Sequence, residues 1–543
     1  MASDEPTMSC WNFAEAIYRL GAGRTTDRPA LIHDELVISY GELRRRATGI
    51  ASYLQSLDLP AGSHIGHYLR NSNAYLETHT GAGLAGHAHV NVNYRYRDDE
   101  LIGLANGLDI RVLVYDTEFA ERVAAIRDGL EKTVAFIEVC SAAPACEFAV
   151  PLASLYDRST ATFKPVTSSD DLILIATGGT TGLPKGTQWR NEDLWRKMGT
   201  GNHMALEPLQ LQAHPESLDE HVANVASLPS PPPFLSLSPL MHGAGFMTAL
   251  LMIAQGVPVA TVSGQRFDAD ATLTFIKRHG VACVALVGDA FAAPLLAALD
   301  ERADEALIAS LGVMISSGAA LGPATRAGLH RHNPALVVVD TLGSSESSGF
   351  AMATGEPGVF KPQRGVRVLD DELRDVAPGS DTIGMIYWSG YQPVGYYNEP
   401  EKSAETFPEI DGKRYVMVGD RCTVRADGNL VLLGRDSTVI NTGGEKVYTG
   451  EVERVLIDHP AITDALVVGL PHPRFGKMVV AVVEGPGLDA DTLDAEAVRA
   501  HVAAHLADYK VPREVLAIPS LQRAPNGKPD YAFVTGFARD ALA

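Results

Sequence analysis

Short apolar runs alternate with helix-patterned stretches over most of this 543-residue chain. Such alternation predicts α/β layering around largely parallel sheets, because the helices that connect successive strands must also cover the sheet. The runs typical of strands cover residues 112–115, 172–176, 281–287, 313–316 and 336–339, and the helical stretches include 40–56 and 292–303.

Two later segments depart from this pattern. From about residue 355 to 434, Gly, Pro and Asp punctuate short alternating runs, which predicts a small antiparallel β unit. From residue 436 the chain restarts with a core of its own, in which helices near 451–457 and 495–506 flank strands near 465–470 and 478–483. We predict a large N-terminal domain of layered α/β sheets plus the small β unit, residues 1–434, followed by a small α+β C-terminal domain, residues 435–543.

No Asp, Glu, Lys or Arg occurs between Glu220 and Arg266. By length alone this stretch resembles a membrane span, which needs about 20 residues of continuous apolar helix. Prolines and glycines divide it into short pieces, so we predict a strand at 234–237, a helix at 244–254 and a strand at 257–262 inside the α/β core, with no membrane span.

Charge and cysteine content narrow the function classes. The chain has 45 Lys and Arg against 66 Asp and Glu, a formal charge of −21. This balance argues against a general nucleic-acid or anionic-membrane binder, so any polyanionic substrate must meet locally concentrated Lys and Arg. Five scattered cysteines without a CxxC pair, and acidic residues where a signal peptide needs basic ones, favour a cytoplasmic location.

A glycine- and threonine-rich segment follows the apolar run at 171–176. Three glycines allow tight turns that point N–H groups at an anion, paired threonines add hydroxyl donors, and Lys185 supplies charge. The segment predicts a phosphate cradle, although it is neither a Walker A loop nor a G-x-G-x-x-G fingerprint. A flexible surface turn would explain the glycines alone. The cradle residues are Thr177, Gly178, Gly179, Thr180, Thr181, Gly182 and Lys185.

This segment resembles the Ser/Thr-Gly-Thr-Thr-Gly-x-Pro-Lys-Gly signature of the adenylate-forming enzymes. That superfamily includes acyl-CoA synthetases, aryl-CoA ligases, firefly luciferase and the adenylation domains of peptide synthetases. Gly178 stands where a serine is usual. The resemblance implies an AMP-binding N-terminal domain, a mobile C-terminal lid, and the use of ATP, Mg²⁺ and CoA.

Further motifs follow in the family's order. Residues 238–245 resemble the segment that lines the acyl pocket, which implies pocket roles for His242, Gly243 and Gly245; by itself, a histidine in an apolar run is more often a core residue. Residues 317–320 resemble the small-residue turn along which adenine and the acyl group lie, which implies nucleotide contacts for Gly318, Ala319 and Ala320, with Gly318 also in the acyl pocket.

Residues 340–346 look like the family's Tyr-Gly-x-Thr-Glu motif. The resemblance places Gly343, Ser344 and Ser345 beside the nucleotide and assigns Mg²⁺ to Glu346, because a hard cation favours a carboxylate together with phosphate oxygens. The alternative for Glu346 is a helix-capping carboxylate. Leu342 stands where the family commonly has an aromatic residue that stacks on adenine.

The remaining motifs lie toward the C-terminus. Residues 418–420 match a Thr-Gly-Asp motif whose carboxylate, here Asp420, binds the ribose hydroxyls, and Arg435 would contact ribose or phosphate. The resemblance also implies a hinge at Asp436 and Ser437, and a catalytic Lys528 that reaches the reacting carboxylate. The loop that completes the thioesterification site would contain Gly443, Gly444, Glu445 and Lys446.

Together these residues imply an acid–thiol ligase. A carboxylic acid is ionised at pH 7 and needs no general base, so charge stabilisation at the α-phosphate dominates, with Lys528, Lys185 and Thr181 as the catalytic residues. The enzyme would activate a hydrophobic acid to acyl-AMP and transfer it to CoA, releasing AMP and pyrophosphate. The alternatives are a ligase that loads a separate carrier protein and a non-catalytic nucleotide-binding homologue.

The expected acyl pocket draws on residues 234–250, 287–296 and 317–320, where the only acidic residue is Asp289. An amino-acid-adenylating domain needs a carboxylate for the substrate ammonium, so that class is disfavoured. Small side chains favour a medium- or long-chain fatty acid or a bulky ring-bearing acid. Residues 93–96 and 287–296 look most similar to bacterial acyl-CoA synthetases of the fatty-acid and steroid-catabolic type. The oligomeric state stays open, including a homo-oligomer.

Overall fold

The structure is a computed structural model. It describes residues 10–141, 143–158, 163–179, 182–199, 215–302, 305–318, 321–435, 438–442, 445–472, 476–506, 508–523 and 529–542. The mixed α/β class predicted from the sequence is confirmed, with layered sheets in the N-terminal part and a smaller α/β unit after them.

The helices are amphipathic or wholly apolar segments that alternate with the strands. In chain order they are α1 (Phe13–Leu20), α2 (Tyr40–Gln55), α3 (Asn73–Leu84), α4 (Asp98–Gly107), α5 (Ala120–Ile126), α6 (Leu152–Leu155), α7 (Asn191–Leu194), α8 (Leu218–Ser227), α9 (Gly243–Ala254), α10 (Ala269–His279), α11 (Asp289–Glu301), α12 (Pro323–His332), α13 (Pro400–Thr406), α14 (Thr449–Ile457), α15 (Ala495–Ala503) and α16 (Tyr531–Ala541).

Every strand-like run predicted above overlaps an observed strand, with small shifts at the ends. In chain order they are β1 (Pro29–His33), β2 (Leu36–Ser39), β3 (His64–Tyr68), β4 (Ala88–Asn91), β5 (Ile110–Asp116), β6 (Ala135–Val139), β7 (Val150–Pro151), β8 (Leu172–Gly179), β9 (Gly182–Arg190), β10 (Phe234–Ser236), β11 (Val259–Thr261), β12 (Cys283–Leu286), β13 (Val313–Ser317), β14 (Val337–Leu342), β15 (Ala351–Ala353), β16 (Val359–Pro362), β17 (Val366–Leu369), β18 (Gly384–Trp388), β19 (Gly395–Tyr396), β20 (Glu409–Ile410), β21 (Lys413–Arg414), β22 (Val416–Val424), β23 (Leu430–Arg435), β24 (Ile440–Thr442), β25 (Glu445–Val447), β26 (Asp464–His472), β27 (Gly476–Glu484) and β28 (Glu514–Ala517).

Polar side chains begin several of the helices by accepting a hydrogen bond from a backbone N–H of the first turn, which pairs a donor that the helix itself leaves open. These caps are Asn12, Ser39, Ser217, Asp268, Asp494 and Asp530. At the other end, α10 stops at Gly280, whose φ of 61° is left-handed and suits glycine.

The larger of the two main sheets has the strand order β17-β18-β22-β23-β16-β15-β14-β13-β12-β10-β11-β1-β2. Its run from β14 to β1 is parallel, whereas β15 onward toward β17 is antiparallel. The antiparallel β unit predicted for residues 355–434 is therefore present, and its strands continue the backbone pairing of the parallel sheet.

The second main sheet has the order β19-β9-β8-β4-β3-β5-β6-β7, with β8 to β7 parallel and β9 antiparallel to β8. A separate sheet, β25-β24-β27-β26 with β28 on β27, forms the C-terminal unit, where α14 and α15 pack on β26 and β28.

One apolar layer fills the space between the two main sheets. Helices α1, α2, α3 and α9 contribute to it, together with inward side chains of both sheets such as Ile175 and Phe234. The uncharged stretch before Arg266 supplies β10, α9 and β11, as predicted. No helix in the described part of the chain is both long and apolar enough to cross a membrane.

Three histidines lie inside this layer, His67 on β3, His79 on α3 and His89 on β4, each at most 3% exposed. The His89 ring stacks on Phe246 of α9 at 4.1 Å and lies 5.1 Å from the His79 ring. Burial lowers the pKa of His67 to about 4 and of His79 to about 3, and it also lowers the pKa of His89. These imidazoles are therefore neutral in the folded protein.

Acid should destabilise the protein through these histidines. Below pH about 6.5 the unfolded chain protonates them while the folded chain does not, so stability falls as the pH drops from 6.5 toward 4. His79→Phe should reduce the loss of unfolding free energy between pH 7.5 and 5 by about 2 kcal/mol. Urea titrations followed by tryptophan fluorescence measure this change, with the exposed His505→Asn as control. An unchanged pH dependence in His79→Phe would contradict the assignment.

Candidate active site

The candidate site lies where the carboxyl edges of the parallel strands meet, the usual ligand edge of an open α/β sheet. Gly318 follows β13 directly, and Gly343 follows β14, its neighbour in the sheet. His242 lies in the segment between β10 and α9. The structure therefore brings three of the predicted segments to one edge.

Two asparagines from the second sheet hold the segment that leads into α9. Asn71 Oδ1 accepts the backbone N–H of Leu240 at 2.7 Å, and Asn71 Nδ2 donates to the Ser238 carbonyl at 3.1 Å. Asn91 Nδ2 donates to the Met241 carbonyl, while Asn91 Oδ1 accepts the Ala176 N–H at 2.7 Å. Residues 238–242 are thereby tied to β8, the strand that leads into the predicted phosphate cradle.

The predicted cradle lies in a pair of antiparallel strands. Thr177 pairs with Lys185 and Gly179 with Gly182 in the register of β8 and β9. The described part is thus strand and not the loop expected from its glycines, since the pairing continues to Gly179 and Gly182 with a register shift between Thr177 and Gly179. Thr180 and Thr181 lie outside the described residues.

Residues 343–349, which we call the Glu346 loop, join β14 to β15. A Cβ on Gly343 would lie 2.6 Å from the backbone N of Gly349, so the two ends of the loop touch. Ser344 N–H donates to Ser347 Oγ at 3.1 Å, which closes the turn. The alternative that Glu346 caps a helix is wrong, because this turn leads into a strand.

Side chains from β9 and β19 hold the Glu346 loop. Trp189 Nε1 donates to the Ser345 carbonyl at 2.8 Å, and the Tyr396 hydroxyl donates to Glu346 Oε1 at 2.8 Å. The Lys185 ammonium lies 5.4 Å from the centre of the Tyr396 ring. Tyr396 therefore connects the predicted phosphate-binding lysine to the predicted metal-binding carboxylate.

The glycines of the predicted acyl pocket differ in their surroundings. A Cβ on Gly245 would lie 2.5 Å from the Pro239 carbonyl oxygen. Only glycine at this position therefore allows α9 to lie so close to the Pro239 backbone. A Cβ on Gly243 would lie 3.5 Å from both Ile175 Cγ2 and Ser345 Oγ, an ordinary contact distance. Gly243 is therefore buried at contact distance from β8 and from the Glu346 loop.

Two half-buried carboxylates, Asp289 and Asp340, lie on the same edge. Asp289 Oδ2 accepts the Gly322 N–H at 3.0 Å, and burial raises the pKa of Asp289. Burial also raises the pKa of Asp340 to about 6, although Arg326 at 3.7 Å acts in the opposite direction. Asp289 Oδ1 is buried and accepts no hydrogen bond from the described residues, so the backbone satisfies only one oxygen of this carboxylate at the start of α11.

The predicted ribose and hinge residues lie farther along the same sheet. Asp420 on β22 is 7% exposed and is the cross-strand partner of Arg435 on β23. Strands β15 and β16 separate this pair from the Glu346 loop in the sheet order. Glu445 and Lys446 begin β25. The predicted residues Ala319, Ala320, Asp436, Ser437, Gly443, Gly444 and Lys528 lie outside the described residues.

Sequence reasoning missed the side chains that hold the site together, namely Asn71, Asn91, Trp189 and Tyr396. Their residue types are ordinary, and their contacts span large sequence separations, such as 156 positions from Trp189 to Ser345. The Gly-Tyr-Tyr-Asn run that contains Tyr396 is a turn-like aromatic segment in the sequence and could have marked that residue.

Comparison with known proteins decides the family. The profile of the AMP-binding enzyme family matches residues 19–397, and the profile of the AMP-binding enzyme C-terminal domain matches residues 451–528. The chain belongs to the AMP-binding enzyme family. The acyl pocket, phosphate and Glu346 segments all fall within the first of these matches.

Curated relatives cover almost the whole chain. A medium/long-chain-fatty-acid–CoA/3-oxocholest-4-en-26-oate–CoA ligase of Mycobacterium marinum is 36% identical over 93% of this chain and 92% of its own length. The medium-chain acyl-CoA ligase Mig of Mycobacterium avium is 36% identical over 95% of this chain and 96% of its own. Among solved structures, the anthranilate CoA ligase AuaEII in complex with anthranoyl-AMP has a TM-score of 0.83 at 20% identity, with all of both chains covered, which supports the fold.

Trp189→Phe tests whether the Glu346 loop depends on the indole donor. Loss of that donor leaves the buried Ser345 carbonyl unpaired, which should cost about 1–3 kcal/mol of unfolding free energy. Trp195→Phe is the matched control, because Trp195 is equally buried and its Nε1 has no acceptor among the described residues. Urea titration of both variants compares them, and an equal loss in the two would show that the hydrogen bond contributes nothing.

Proposed function

We propose that this protein is an AMP-forming acid–thiol ligase that activates a hydrophobic carboxylic acid with ATP and transfers the acyl group to CoA. The observation that carries the proposal is the connection of Lys185 to Glu346 through Tyr396, in a loop whose Ser345 faces Gly243 of the predicted acyl pocket. Formation of an acyl phosphate anhydride requires a cation and a metal-binding carboxylate beside the site of the acid.

The first half-reaction joins two anions. The substrate carboxylate attacks the α-phosphorus of ATP, its bond to phosphorus forms, and pyrophosphate leaves with the electron pair of the broken P–O bond. Lys185, the backbone N–H groups near residues 177–182 and Thr181 would offset the charge on the phosphate oxygens, a contribution that typically dominates such reactions. The nucleotide would also contact Gly318, Ala319, Ala320, Ser344 and Ser345, with Asp420 on the ribose and Arg435 on ribose or phosphate.

Mg²⁺ fits the donor set at the Glu346 loop. Glu346 Oε1 accepts the Tyr396 hydroxyl, while Oε2 accepts no hydrogen bond from the described residues. No group of three or more His, Cys, Asp and Glu suited to a metal occurs in the part of the chain that is described. Glu346 would therefore hold the ion jointly with phosphate oxygens, and the ion would stabilise the negative charge of the pyrophosphate.

The C-terminal unit would act as the lid, with the domain boundary at residues 434 and 435 and the hinge at Asp436 and Ser437. Arg523, five positions before Lys528, forms an ion pair with Asp464 on β26 at 2.5 Å. Burial raises the pKa of Asp289 at the candidate site, and the negative charge of the Asp464 carboxylate acts in the same direction. This placement supports a lid that delivers Lys528 to the acyl side of the site.

In the second half-reaction the CoA thiol attacks the acyl carbon and loses its proton to solvent, the C–S bond forms, the bond from the acyl carbon to the phosphate oxygen breaks, and AMP leaves with that electron pair. Residues Gly443, Gly444, Glu445 and Lys446 would then replace Lys528 at the site, because the two reactions need different groups at one carbon. We also place the protein in the cytoplasm, since its five cysteines are scattered along the chain without a CxxC pair.

The substrate class follows from the apolar surroundings of Gly243 and from the relatives. The names of the relatives include medium- and long-chain fatty acids and a steroid acid, which supports a fatty or bulky ring-bearing acid as the substrate of this protein. ATP–pyrophosphate exchange that depends on such an acid, followed by AMP and thioester formation on addition of CoA, tests the proposal. Exchange without acid dependence, or none with any acid of a fatty, aryl and steroid panel, would refute it.

Lys528→Ala should separate the two half-reactions. Loss of its ammonium should lower acyl-adenylate formation by about 10²- to 10³-fold. Thioester formation from supplied acyl-AMP and CoA should continue, because the lid presents other residues in that step. Rapid-quench measurement of each half-reaction provides the test, and an equal loss of both would contradict the two-position lid.

Gly243→Ala should add a methyl group to the predicted acyl pocket without unfolding the chain, since its Cβ would meet neighbours at 3.5 Å. We expect kcat/KM for ring-bearing acids to fall by about tenfold more than for straight-chain acids. Gly107→Ala on exposed α4, where a Cβ meets nothing within 4 Å, is the control. An equal effect on all acids would place the substrate elsewhere.

A further inference from the structure

Lys197 is buried beside the Glu346 loop and has no role in the function proposed above. It lies in a π-helical turn, Trp195–Gly199, after β9 and α7, and it is 9% exposed. Its ammonium donates to the Gly349 carbonyl at 2.7 Å and to Gln363 Oε1 at 3.2 Å. Gly349 is the last residue of the Glu346 loop, so Lys197 is hydrogen-bonded to the end of that loop.

No carboxylate lies within ion-pair distance of Lys197 in the described ranges. The ammonium instead lies 4.1 Å from the centre of the Trp388 ring. Burial lowers the pKa of Lys197 to about 7, which reflects the cost of keeping the charge in this environment. A buried cation without a counter-ion is costly, and a methionine of similar length would fill the same space at less cost.

The position of Lys197 next to the Glu346 loop indicates what the buried charge stabilises. The Glu346 loop consists of glycine, serine and one glutamate, so it has no apolar side chain to anchor it. Trp189 holds the loop at Ser345 and Lys197 holds it at Gly349, one on each side of Glu346. Hydrogen bonds from a charged donor are stronger than those between neutral groups, so Lys197 restrains the carbonyl at this end of the loop.

We propose that Lys197 is a positioning residue for adenylate formation, which fixes the end of the Glu346 loop through the Gly349 carbonyl so that Glu346 is presented to a divalent cation and ATP. This inference rests on the proposed function. It assigns no chemical step to Lys197. It predicts that loss of Lys197 weakens binding of the metal–ATP complex and leaves the rate of thioester formation unchanged.

The test uses the full-length protein with Lys197→Met, and with Lys277→Met on exposed α10 as control. Mn²⁺ binding is measured by electron paramagnetic resonance in the presence of α,β-methylene-ATP, a readout that needs no turnover. We expect Lys197→Met to raise the Mn²⁺ dissociation constant by about tenfold and Lys277→Met to leave it unchanged. A folded Lys197→Met protein with the wild-type constant would overturn the proposal.

Kinetics then separate positioning from a general loss of structure. Acyl-adenylate formation should fall in Lys197→Met, while thioester formation from saturating acyl-AMP and CoA should stay within about twofold of wild type. Equal loss of both half-reactions would overturn the proposal. In a Glu346→Gln background, Lys197→Met should raise the Mn²⁺ dissociation constant by less than about twofold, because both residues act on the same ligand. A further tenfold rise there would also overturn it.

A second variant covers the case in which Lys197→Met does not fold. Gln363→Met keeps the lysine and removes one of its two acceptors, so the Mn²⁺ dissociation constant should rise in the same direction by about threefold. No rise in a folded Gln363→Met protein would overturn the proposal. Failure of the wild-type protein in acid-dependent pyrophosphate exchange would instead refute the proposed function, and the Mn²⁺ comparison would remain measurable.

Discussion

Helix α9 is packed between the two main sheets, and this packing determines where the rest of the candidate site can form. A helix in such a layer must be apolar on nearly all sides, which accounts for the uncharged stretch between Glu220 and Arg266. Its start lies at the edge where both sheets end, and asparagines from the second sheet fix the segment before it. The position of Gly243, which the sequence assigned to the acyl pocket, therefore follows from how the two sheets enclose one helix.

The Glu346 loop depends on donors that other elements supply. Trp189 lies on β9 four residues after Lys185, Tyr396 lies on β19, which pairs with β9, and Lys197 follows shortly after β9. A shift of β9 would consequently move Lys185 and all three contacts to the Glu346 loop together. The groups expected to bind phosphate and metal are thus positioned by the same strand, although they are far apart in the sequence.

The sequence predicted the strands, the helices and the α/β class because periodicity is local information. It also singled out Lys185 and Glu346, through motifs whose spacing resembles that of a known family. It could not predict Tyr396 or Lys197 as partners of the Glu346 loop, because their contacts arise only when distant segments pair. The extension of the β-ladder through the glycine-rich segment was missed for a related reason, since glycine composition favours a loop while strand pairing overrides it.

Glycines of the motif segments look alike in the sequence, but their surroundings differ. A Cβ on Gly245 or Gly343 would collide with backbone at 2.5 and 2.6 Å, so those two glycines are needed for the chain to fold in this way. At Gly243 the nearest atoms are 3.5 Å away and belong to side chains. A methyl group at 243 would therefore contact side chains and leave the backbone in place, so a substitution there tests the predicted acyl pocket without disturbing the loop that carries Glu346.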